Sequence, residues 1–384
     1  MATRDGITAL LLAGGYSSRM QRFKPLLPLG ASTVLGRAVD TFRTAGVRDV
    51  TVVVGHRGEE LRPVIEGMGA RCVVNAGFAA GMYSSLVAGI RSLGTRATAC
   101  FVLPADMPAV RSRTVALLAK AHGRTSASVL YPTFRGRRGH PPLLSSSVFP
   151  AIASGTGEGG LRHLLAQWEP HAREVSVVDE GILIDVDTPE DYAFAAYALH
   201  DRAIPTVEEC EAILERARVP DAVVRHGRCV SRVARRLAAT LGEAGFRLDL
   251  RLVIAGGLLH DVARLRPDHA RAGARRLERL GFPRLASVVA SHMDLAFEAH
   301  AAVDEAAIVY LADKLVCGDR TVSLAERFQR ARADAQGIVD ATRAVETRWN
   351  EAQAVAREVE RVLGCELTEV ARPEPPPALE SRDP

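Results

Sequence analysis

Hydrophobic and polar positions follow two different periods along the chain, and the change comes near residue 200. Before that point, four near-continuous apolar runs end at Gly, Asn or Asp, namely ITALLLAGG, VTVVVG, RCVVN and ACFVLPAD. Such runs are typical of strands buried on both faces. The amphipathic segments between them predict helices at 34–45, 84–93 and 112–121. This alternation predicts an α/β fold, with a mostly parallel sheet and helices on both faces.

Beyond residue 206 the helical period continues almost without interruption, for example in VSRVARRLAATLGEAG and EAAIVYLADKLVCG. The second part of the chain is therefore predicted to be an all-α domain. A length of 384 residues also favours two domains. We predict domains at 1–200 and 206–365, joined by the linker ALHDRAIPT. Proline and charge dominate ARPEPPPALESRDP, so residues 366–384 are predicted to form a disordered tail.

Composition narrows the possible partners and the compartment. The formal net charge is only +4, and basic and acidic residues are mixed, so we expect no nucleic-acid partner. No apolar run approaches the roughly 20 residues of a membrane span, so we expect no membrane partner. The six cysteines are scattered and no secretory signal opens the chain. A reducing cytoplasm is the expected location.

A glycine turn, Gly14–Gly15, follows the first predicted strand. It should lie at the carboxyl edge of the sheet, where open α/β sheets bind ligands. Glycines let backbone N–H groups approach phosphate oxygens closely. Hydroxyl donors and two cations follow it, namely Ser17, Ser18, Arg19 and Lys24. The turn matches neither the dinucleotide fingerprint nor the P-loop, so neither a hydride-transfer enzyme nor an ordinary NTPase is indicated.

Two aspartates end further predicted strands, Asp106 in LPADMP and Asp187 in IDVDTPEDY. Carboxylates at one sheet edge could share Mg²⁺ with the phosphates of a nucleotide. An aspartate before proline is also a common helix N-cap. The nearby cations make the phosphate interpretation the stronger one.

Six ordered motifs of the first domain resemble the molybdenum cofactor nucleotidyltransferases, specifically the cytidylyltransferase branch. They are AGGYSSRMQRFK, NAGFAAGMYSSLVAG, LPADMP, RGHPPLL, GEGGLRHLL and DVDTPEDY. The resemblance implies a Rossmann-like (GT-A type) fold. The implied reaction transfers a nucleoside monophosphate from an NTP to the terminal phosphate of molybdopterin and releases pyrophosphate. A molybdenum hydroxylase apoenzyme is a candidate partner.

The same resemblance implies roles for individual residues. Lys24 and Arg19 would neutralise the phosphates, while Asp106 and Asp187 would hold Mg²⁺. The implied nucleotide-binding residues are Leu12, Ala13, Gly14, Gly15, Ser17, Ser18, Arg19, Lys24, Asn75, Gly81 and Ser85. His140 is expected to shape the acceptor pocket rather than act as a base, because a phosphate nucleophile is already ionised.

The choice of nucleotide is less sharply indicated. Asp187 and the GMYSSL segment favour CTP, because the guanylyl relatives tend to carry Asn and a GPLAG-like segment there. AGG and the Gln21 that replaces a usual Gly depart from the cytidylyl pattern. A sugar phosphate or another small phosphate stays open as the acceptor. A carrier that delivers molybdenum cofactor, with a nucleotide-sensing helical module, stays open as a different class.

Histidines and aspartates recur in the helical half. His226 and the pair His260–Asp261 fall in helical stretches, and Asp313 ends an apolar run. Buried groups of this kind would be costly without partners, so a shared metal is expected.

Motifs over residues 220–320 resemble the HD-type metal-dependent phosphohydrolases, including LLHDVARL, VVASHMD and YLADKL. The resemblance adds His269 and His292 as ligands of a second ion bridged by Asp261. It implies hydrolysis of a phosphate ester or nucleotide with one or two Mn, Fe or Zn ions.

Overall fold

The computed structural model describes residues 6–16, 20, 22–200, 202–297 and 302–370. The chain divides into two compact units between Arg202 and Ala203. Thr206 begins the second unit's first helix with a capping box, in which its side chain accepts from the Glu209 N–H. Such a box is a strong start signal for a helix.

The first unit alternates strands and helices. Its strands are β1 (Ile7–Ala13), β2 (Pro28–Leu29), β3 (Ser32–Thr33), β4 (Asp49–Val54), β5 (Arg71–Val74), β6 (Ala99–Pro104), β7 (Val129–Phe134), β8 (Arg137–Arg138), β9 (Leu143–Ser145) and β10 (Ala172–Ser176). Its helices are α1 (Val34–Thr44), α2 (Gly58–Gly67), α3 (Met82–Ser92), α4 (Ser112–His122), α5 (Phe149–Ser154), α6 (Gly160–Leu165) and α7 (Pro189–His200).

An eight-stranded, mostly parallel sheet organises this unit. Its order is β10-β7-β9-β6-β1-β4-β5, with β8 paired to β7 and β9 running antiparallel to both of its neighbours. Side chains alternate between the two faces of a strand. Leu10 packs in one cluster with Leu86 of α3, while Phe101 contacts Phe42 of α1 at 5.5 Å between ring centroids. Helices therefore cover both faces, as predicted.

The second unit is helical apart from one small hairpin. Its elements are α8 (Val207–Ala217), α9 (Asp221–Glu243), α10 (Leu250–Leu259), α11 (His269–Leu280), α12 (Pro283–Ser291), α13 (Glu305–Lys314), β11 (Val316–Cys317), β12 (Arg320–Thr321), α14 (Leu324–Asp334), α15 (Val339–Leu363) and α16 (Leu367–Val370). The second domain is helical as predicted, and the β11–β12 pair, which turns at Gly318 with φ 63°, adds a hairpin of two residues per strand. No helix in the described parts of either unit is long and apolar enough to cross a membrane.

The prediction of a disordered tail at 366–384 needs a correction at its start. Residues 367–370 form α16, and Leu367 is buried. The remainder of that segment, 371–384, lies outside the described residues.

Helices α9 and α10 cross at glycines. A Cβ added to Gly257 would lie 2.4 Å from the Cα of Ser231, and one added to Gly227 would lie 2.8 Å from the Leu258 carbonyl oxygen. Only glycine allows the two backbones to come this close. The crossing fixes the spacing between His226 on α9 and His260 at the end of α10.

Candidate functional sites

The glycine turn lies at the carboxyl edge of the sheet, as predicted. Strand β1 ends at Ala13, and the Leu12 carbonyl accepts a hydrogen bond of 3.0 Å from the Ala105 N–H. A Cβ on Gly14 would lie 2.9 Å from Ser85 Oγ, so a side chain there would separate the turn from α3. The predicted residues Ser17, Ser18 and Arg19 lie outside the described residues.

Lys24 lies between the two predicted carboxylates. Its Nζ is 2.6 Å from Asp187 Oδ1 and 3.8 Å from Asp106 Oδ2. The Val186 N–H donates to the Asp106 carbonyl at 2.9 Å, which ties the two acidic segments together. Lys24 itself is 8% exposed, so its charge is poorly screened by water.

Neither predicted aspartate acts as the cap of α7. The Asp191 Oδ2 accepts hydrogen bonds from the N–H groups of Asp187 and Thr188 at 3.2 and 2.8 Å. The Asp187 carboxylate instead contacts Lys24. Burial raises the pKa of the Asp106 carboxyl, an effect that the Lys24 charge opposes. A second positive charge at this edge would therefore favour the ionised carboxylate.

Of the predicted residues after β5, Ser85 lies beside Gly14, and Asn75 is hydrogen-bonded to Ser85. Asn75 donates from Nδ2 to Ser84 Oγ at 2.8 Å and to Ser85 Oγ at 3.1 Å. Gly81 adopts φ 93°, which glycine tolerates best, just before α3 begins. Asn75 thereby fastens the loop after β5 to the start of α3.

One feature of this unit escaped prediction from the sequence. Tyr16, His56 and Phe78 form an aromatic cluster beside the turn, with ring centroids 5.1–6.3 Å apart. A cavity of about 1360 Å³ also opens beside Leu12. Its other walls include Tyr131, Arg138, His140, Gly157, Arg162 and His163. The GEGGLRHLL and RGHPPLL motifs were the sequence signals for this cavity.

The six predicted ligands of the second unit meet at one place. His226 lies on α9 and Asp313 on α13, while His269 opens α11 and His292 caps α12. His260 and Asp261 follow the last residue of α10, which corrects their assignment to a helical stretch. We call these six residues the HD site.

Short distances link the members of the HD site. His226 Nε2 is 3.0 Å from Asp313 Oδ1, and His260 Nε2 is 3.6 Å from Asp313 Oδ1. Asp261 Oδ1 is 3.3 Å from His269 Nε2 and 3.6 Å from His292 Nε2. Two groups of three residues each have ligand atoms within 4.8 Å of one another. The first group is His226, His260 and Asp261, and the second is Asp261, His269 and His292, so Asp261 belongs to both. This arrangement could hold two cations bridged by Asp261.

Backbone carbonyl groups orient the imidazole rings of the HD site. The Nδ1 atoms of His226, His260 and His292 lie 2.7–2.9 Å from backbone carbonyl oxygens, which assigns Nδ1–H as the donor and turns Nε2 toward the centre. Within the described part of the chain, His260 Nε2, His292 Nε2 and Asp261 Oδ1 are buried and have no hydrogen-bond partner. Such orphaned atoms are expensive unless a cation binds them. The residues present therefore fit a divalent metal.

Burial and neighbouring charges set the protonation of the site. Burial lowers the pKa of His260 to about 4, so this imidazole stays neutral near pH 7. Burial opposes ionisation of Asp313, but the Lys314 charge and the His226 hydrogen bond hold its pKa well below the usual range. Burial also opposes protonation of His226, yet its contact with Asp313 raises the pKa. His260 and Asp313 are thus already in the ligating forms.

Lys314 is a charged neighbour that escaped sequence reasoning. It is 5% exposed, and its Nζ donates to Asp313 Oδ2 at 2.7 Å and to the His292 carbonyl at 3.1 Å. One side chain therefore connects the Asp313 carboxylate to the backbone of His292. Its position next to Asp313 in YLADKL was visible, but its contact with His292 was not.

Each of the two units contains a segment that matches a known family. Residues 9–173 match the model of the MobA-like NTP transferase domain. The chain is 32% identical over 192 residues to a nicotine blue oxidoreductase of Paenarthrobacter nicotinovorans, which covers 48% of this chain and 93% of that relative. The chain belongs to the MobA-like NTP transferase family. Residues 223–316 match the HD domain, so the transferase continues into an HD domain in one chain.

Two further relatives of the transferase unit carry molybdenum cofactor names. A molybdenum cofactor cytidylyltransferase of Escherichia coli is 26% identical over 192 residues, covering 50% of this chain and 96% of the relative. A probable molybdenum cofactor guanylyltransferase of Opitutus terrae is 32% identical over 163 residues, covering 42% of this chain and 75% of the relative. The chain is a nucleotidyltransferase of the MobA-like type, and HD domains bind divalent metals.

Proposed function

We propose that the transferase unit moves CMP from CTP to the terminal phosphate of molybdopterin and releases pyrophosphate. The observation that carries the proposal is the contact of Lys24 with both Asp106 and Asp187 beside the glycine turn. Phosphoryl and nucleotidyl transfer depend on positioning and on compensation of negative charge, and this cluster offers both.

The donor set fits Mg²⁺, which prefers carboxylate oxygens together with substrate phosphates. Asp106 and Asp187 would hold the ion, and the bound ion would supply positive charge against the leaving pyrophosphate. Lys24 is held within reach of both carboxylates and would turn toward the incoming phosphates. Backbone N–H groups of the turn would bind the same phosphates, because Gly14 keeps the turn close to α3.

The acceptor proposal is supported by the large cavity that begins at Leu12. Its walls combine the Tyr131 ring with the cations Arg138 and Arg162, a combination that suits a heterocycle carrying a phosphate. Burial lowers the pKa of His140, so this imidazole would line the cavity in its neutral form. CTP is proposed from the sequence resemblance to the cytidylyl branch.

Pyrophosphate release tests the proposal directly. The purified full chain is incubated with Mg²⁺, molybdopterin and one of CTP, GTP, ATP or UTP. We expect CTP to give the fastest release, only when molybdopterin is present. Lys120→Ala is the matched control for Lys24→Ala, because Lys120 is an exposed lysine on α4.

Each of the other outcomes would support a different function for the transferase unit. Faster release with GTP would reassign the nucleotide, and release with a sugar phosphate alone would reassign the acceptor. Tight molybdopterin binding without release in any mixture would favour a carrier. Because one relative is named an oxidoreductase, oxidation of a reduced nicotinamide without pyrophosphate release would replace the transferase proposal.

We also propose that the HD site hydrolyses phosphate esters. The orphaned atoms of His260, His292 and Asp261 support this proposal, because they fit bound divalent ions. An ion there would polarise the phosphorus–oxygen bonds of an ester. The chain itself would hold Asp313 ionised through Lys314 and keep His260 neutral. Hydrolysis of p-nitrophenyl phosphate by wild type, and its loss in Asp261→Ala, test the assignment.

A further inference from the structure

A cavity of about 350 Å³ opens directly on the HD site. One side is formed by members of the HD site, among them His226, Asp261, His292 and Asp313. Helices α14 and α15 also line it, with Arg327, Phe328, Ala331, Val345 and Arg348. These helices begin after residue 316, where the match to the HD domain ends. Part of the cavity lining therefore comes from helices that lie outside the matched HD segment.

Arg327 differs from the other cations of this cavity. Lys314 is bonded to Asp313, Arg348 contacts Asp294 at 3.1 Å, and Arg264 lies 3.6 Å from Asp261. None of the ion pairs found among the described residues includes Arg327, and its buried Nε has no hydrogen-bond partner there. Arg327 as a whole is partly exposed, but its buried Nε–H lacks an acceptor, so an anionic ligand that accepts from this group would be stabilised.

The position of Arg327 is fixed by its neighbours. Helix α14 starts with a capping box between Ser323 and Glu326. Phe328 is buried against Tyr310 and contacts the Trp349 ring at 5.2 Å between centroids. Arg327 is therefore presented from a helix that is anchored on both sides of it.

Part of the wall is apolar. Val223, Val316, Phe328, Ala331 and Val345 line the cavity. The other cations of the cavity already face carboxylates, so a second phosphate would gain little there, whereas an apolar or aromatic alcohol group would bury surface against these side chains. The volume lies within the range of small-molecule pockets.

We propose that Arg327 binds the phosphoryl group of an organic phosphate monoester of nucleoside monophosphate size, and that Phe328 and the valines receive its organic part. The inference rests on the proposed hydrolase function of the HD site. It separates the substrate of this unit from inorganic pyrophosphate, the product proposed for the transferase unit.

Steady-state kinetics on the Mn²⁺-loaded full chain test this assignment. The substrates are CMP, AMP, p-nitrophenyl phosphate and inorganic pyrophosphate. Arg327→Gln should raise KM for the three monoesters roughly 10- to 100-fold, the loss expected for a charge-assisted hydrogen bond, with unchanged metal content. Arg327→Lys should recover part of the loss. Arg330→Gln, an exposed arginine on the same helix that does not line the cavity, should stay within about twofold of wild type.

Equal KM values in Arg327→Gln and wild type, or pyrophosphate as the best substrate, would overturn the proposal. Calorimetric titration with inorganic phosphate separates it from the hydrolase assignment. If wild type binds phosphate but hydrolyses none of the esters, the hydrolase function fails. In that case loss of phosphate binding in Arg327→Gln would still support the anion site, and retained binding would remove it.

Discussion

The carboxylates of the two sites differ in their exposure to solvent and in their charged contacts. In the transferase unit, the side chains of Asp106 and Asp187 are 31% and 32% exposed, and Lys24 contacts both. In the HD site, the side chains of Asp261 and Asp313 are only 9% and 8% exposed, and Asp261 Oδ1 faces imidazoles without a hydrogen bond. Lys24 contacts both carboxylates of the first site, whereas in the second Lys314 is bonded to Asp313 and the Asp261 Oδ1 atom has no hydrogen-bond partner. We therefore expect a metal that arrives with the nucleotide in the first site and a resident metal in the second.

The largest expected effect comes from removing the carboxylates that hold the metals. Asp106→Ala and Asp187→Ala should each abolish nucleotidyl transfer, because each removes charge stabilisation without opening a core cavity. Ester hydrolysis should be unchanged in both variants. Transfer at the wild-type rate in either variant would exclude that residue from the mechanism. Pyrophosphate release and p-nitrophenyl phosphate hydrolysis measure the two activities side by side.

The reciprocal change is Asp261→Ala. Because Asp261 belongs to both groups of ligands, its loss should empty the HD site and abolish hydrolysis while transfer continues. His269→Ala should remove only one ion, since His269 belongs to one group. Metal analysis of the purified variants distinguishes these outcomes. A full metal complement in Asp261→Ala would show that the cluster is not a metal site.

Lys24→Ala should have the next largest effect and sharpens the contrast between the sites. We expect kcat for transfer to fall about 10²- to 10³-fold, as when one preorganised charge-stabilising group is lost. Without Lys24, the two carboxylates should also bind Mn²⁺ more tightly in the absence of nucleotide. Electron paramagnetic resonance titration measures this affinity, with Lys120→Ala as the control. Unchanged Mn²⁺ affinity would mean that Lys24 does not compete with the metal.

Removal of metal should destabilise only the second unit, which contains the HD site and is called the HD unit below. An ion present at 100 times its dissociation constant stabilises a fold by about 2.7 kcal/mol. Trp349 lies in the second unit and Trp168 in the first, so a Trp168→Phe chain reports the HD unit by fluorescence. We expect chelation to lower its unfolding midpoint. A midpoint that does not respond to chelator would argue against a resident metal.

A smaller effect is expected from pH on the metal-free protein. The unfolded His260 takes up a proton near its ordinary pKa of 6.5, whereas the folded one does so near 4. The contribution is therefore complete above pH 6.5 and is lost as pH falls toward 4. Between pH 7 and 5 the loss should be about 2 kcal/mol. In urea unfolding, the loss of stability between pH 7 and 5 should be about 2 kcal/mol smaller in His260→Asn than in wild type, because the raised pKa of His226 and the lowered pKa of His269 act in both.

Much of the fold was predictable because its signals are local. The apolar runs of β1, β4 and β6 are buried in the structure, and the end of β6 brings Asp106 to the edge that holds the glycine turn. The prediction that the β5 run is buried on both faces was wrong, because β5 is an edge strand and Val74 is 46% exposed. The HD ligands were likewise found from motifs. Periodicity could not show that His260 and Asp261 lie just past the end of α10, since the helical pattern runs on through them.

Contacts between distant segments could not be predicted. Lys314 contacts the His292 carbonyl, which is 22 residues away along the chain. Arg327 lines the cavity beside the HD site, but the sequence of its helix α14 shows only an ordinary amphipathic pattern. The aromatic cluster of Tyr16, His56 and Phe78 likewise draws on three separate loops. Such contacts depend on tertiary packing, for which a single sequence carries no short-range signal.

The glycine crossing of α9 and α10 also limits how this protein can be engineered. Replacing a helical glycine by alanine stabilises many proteins by about 0.5–1 kcal/mol, and it is a routine step toward thermostability. At Gly227 and Gly257 the same replacement would push the helices apart and move imidazoles that it never touches. Gly242, near the end of α9, has open space where a Cβ would go. Thermostabilising designs therefore have a permissive glycine and two forbidden ones within the same pair of helices.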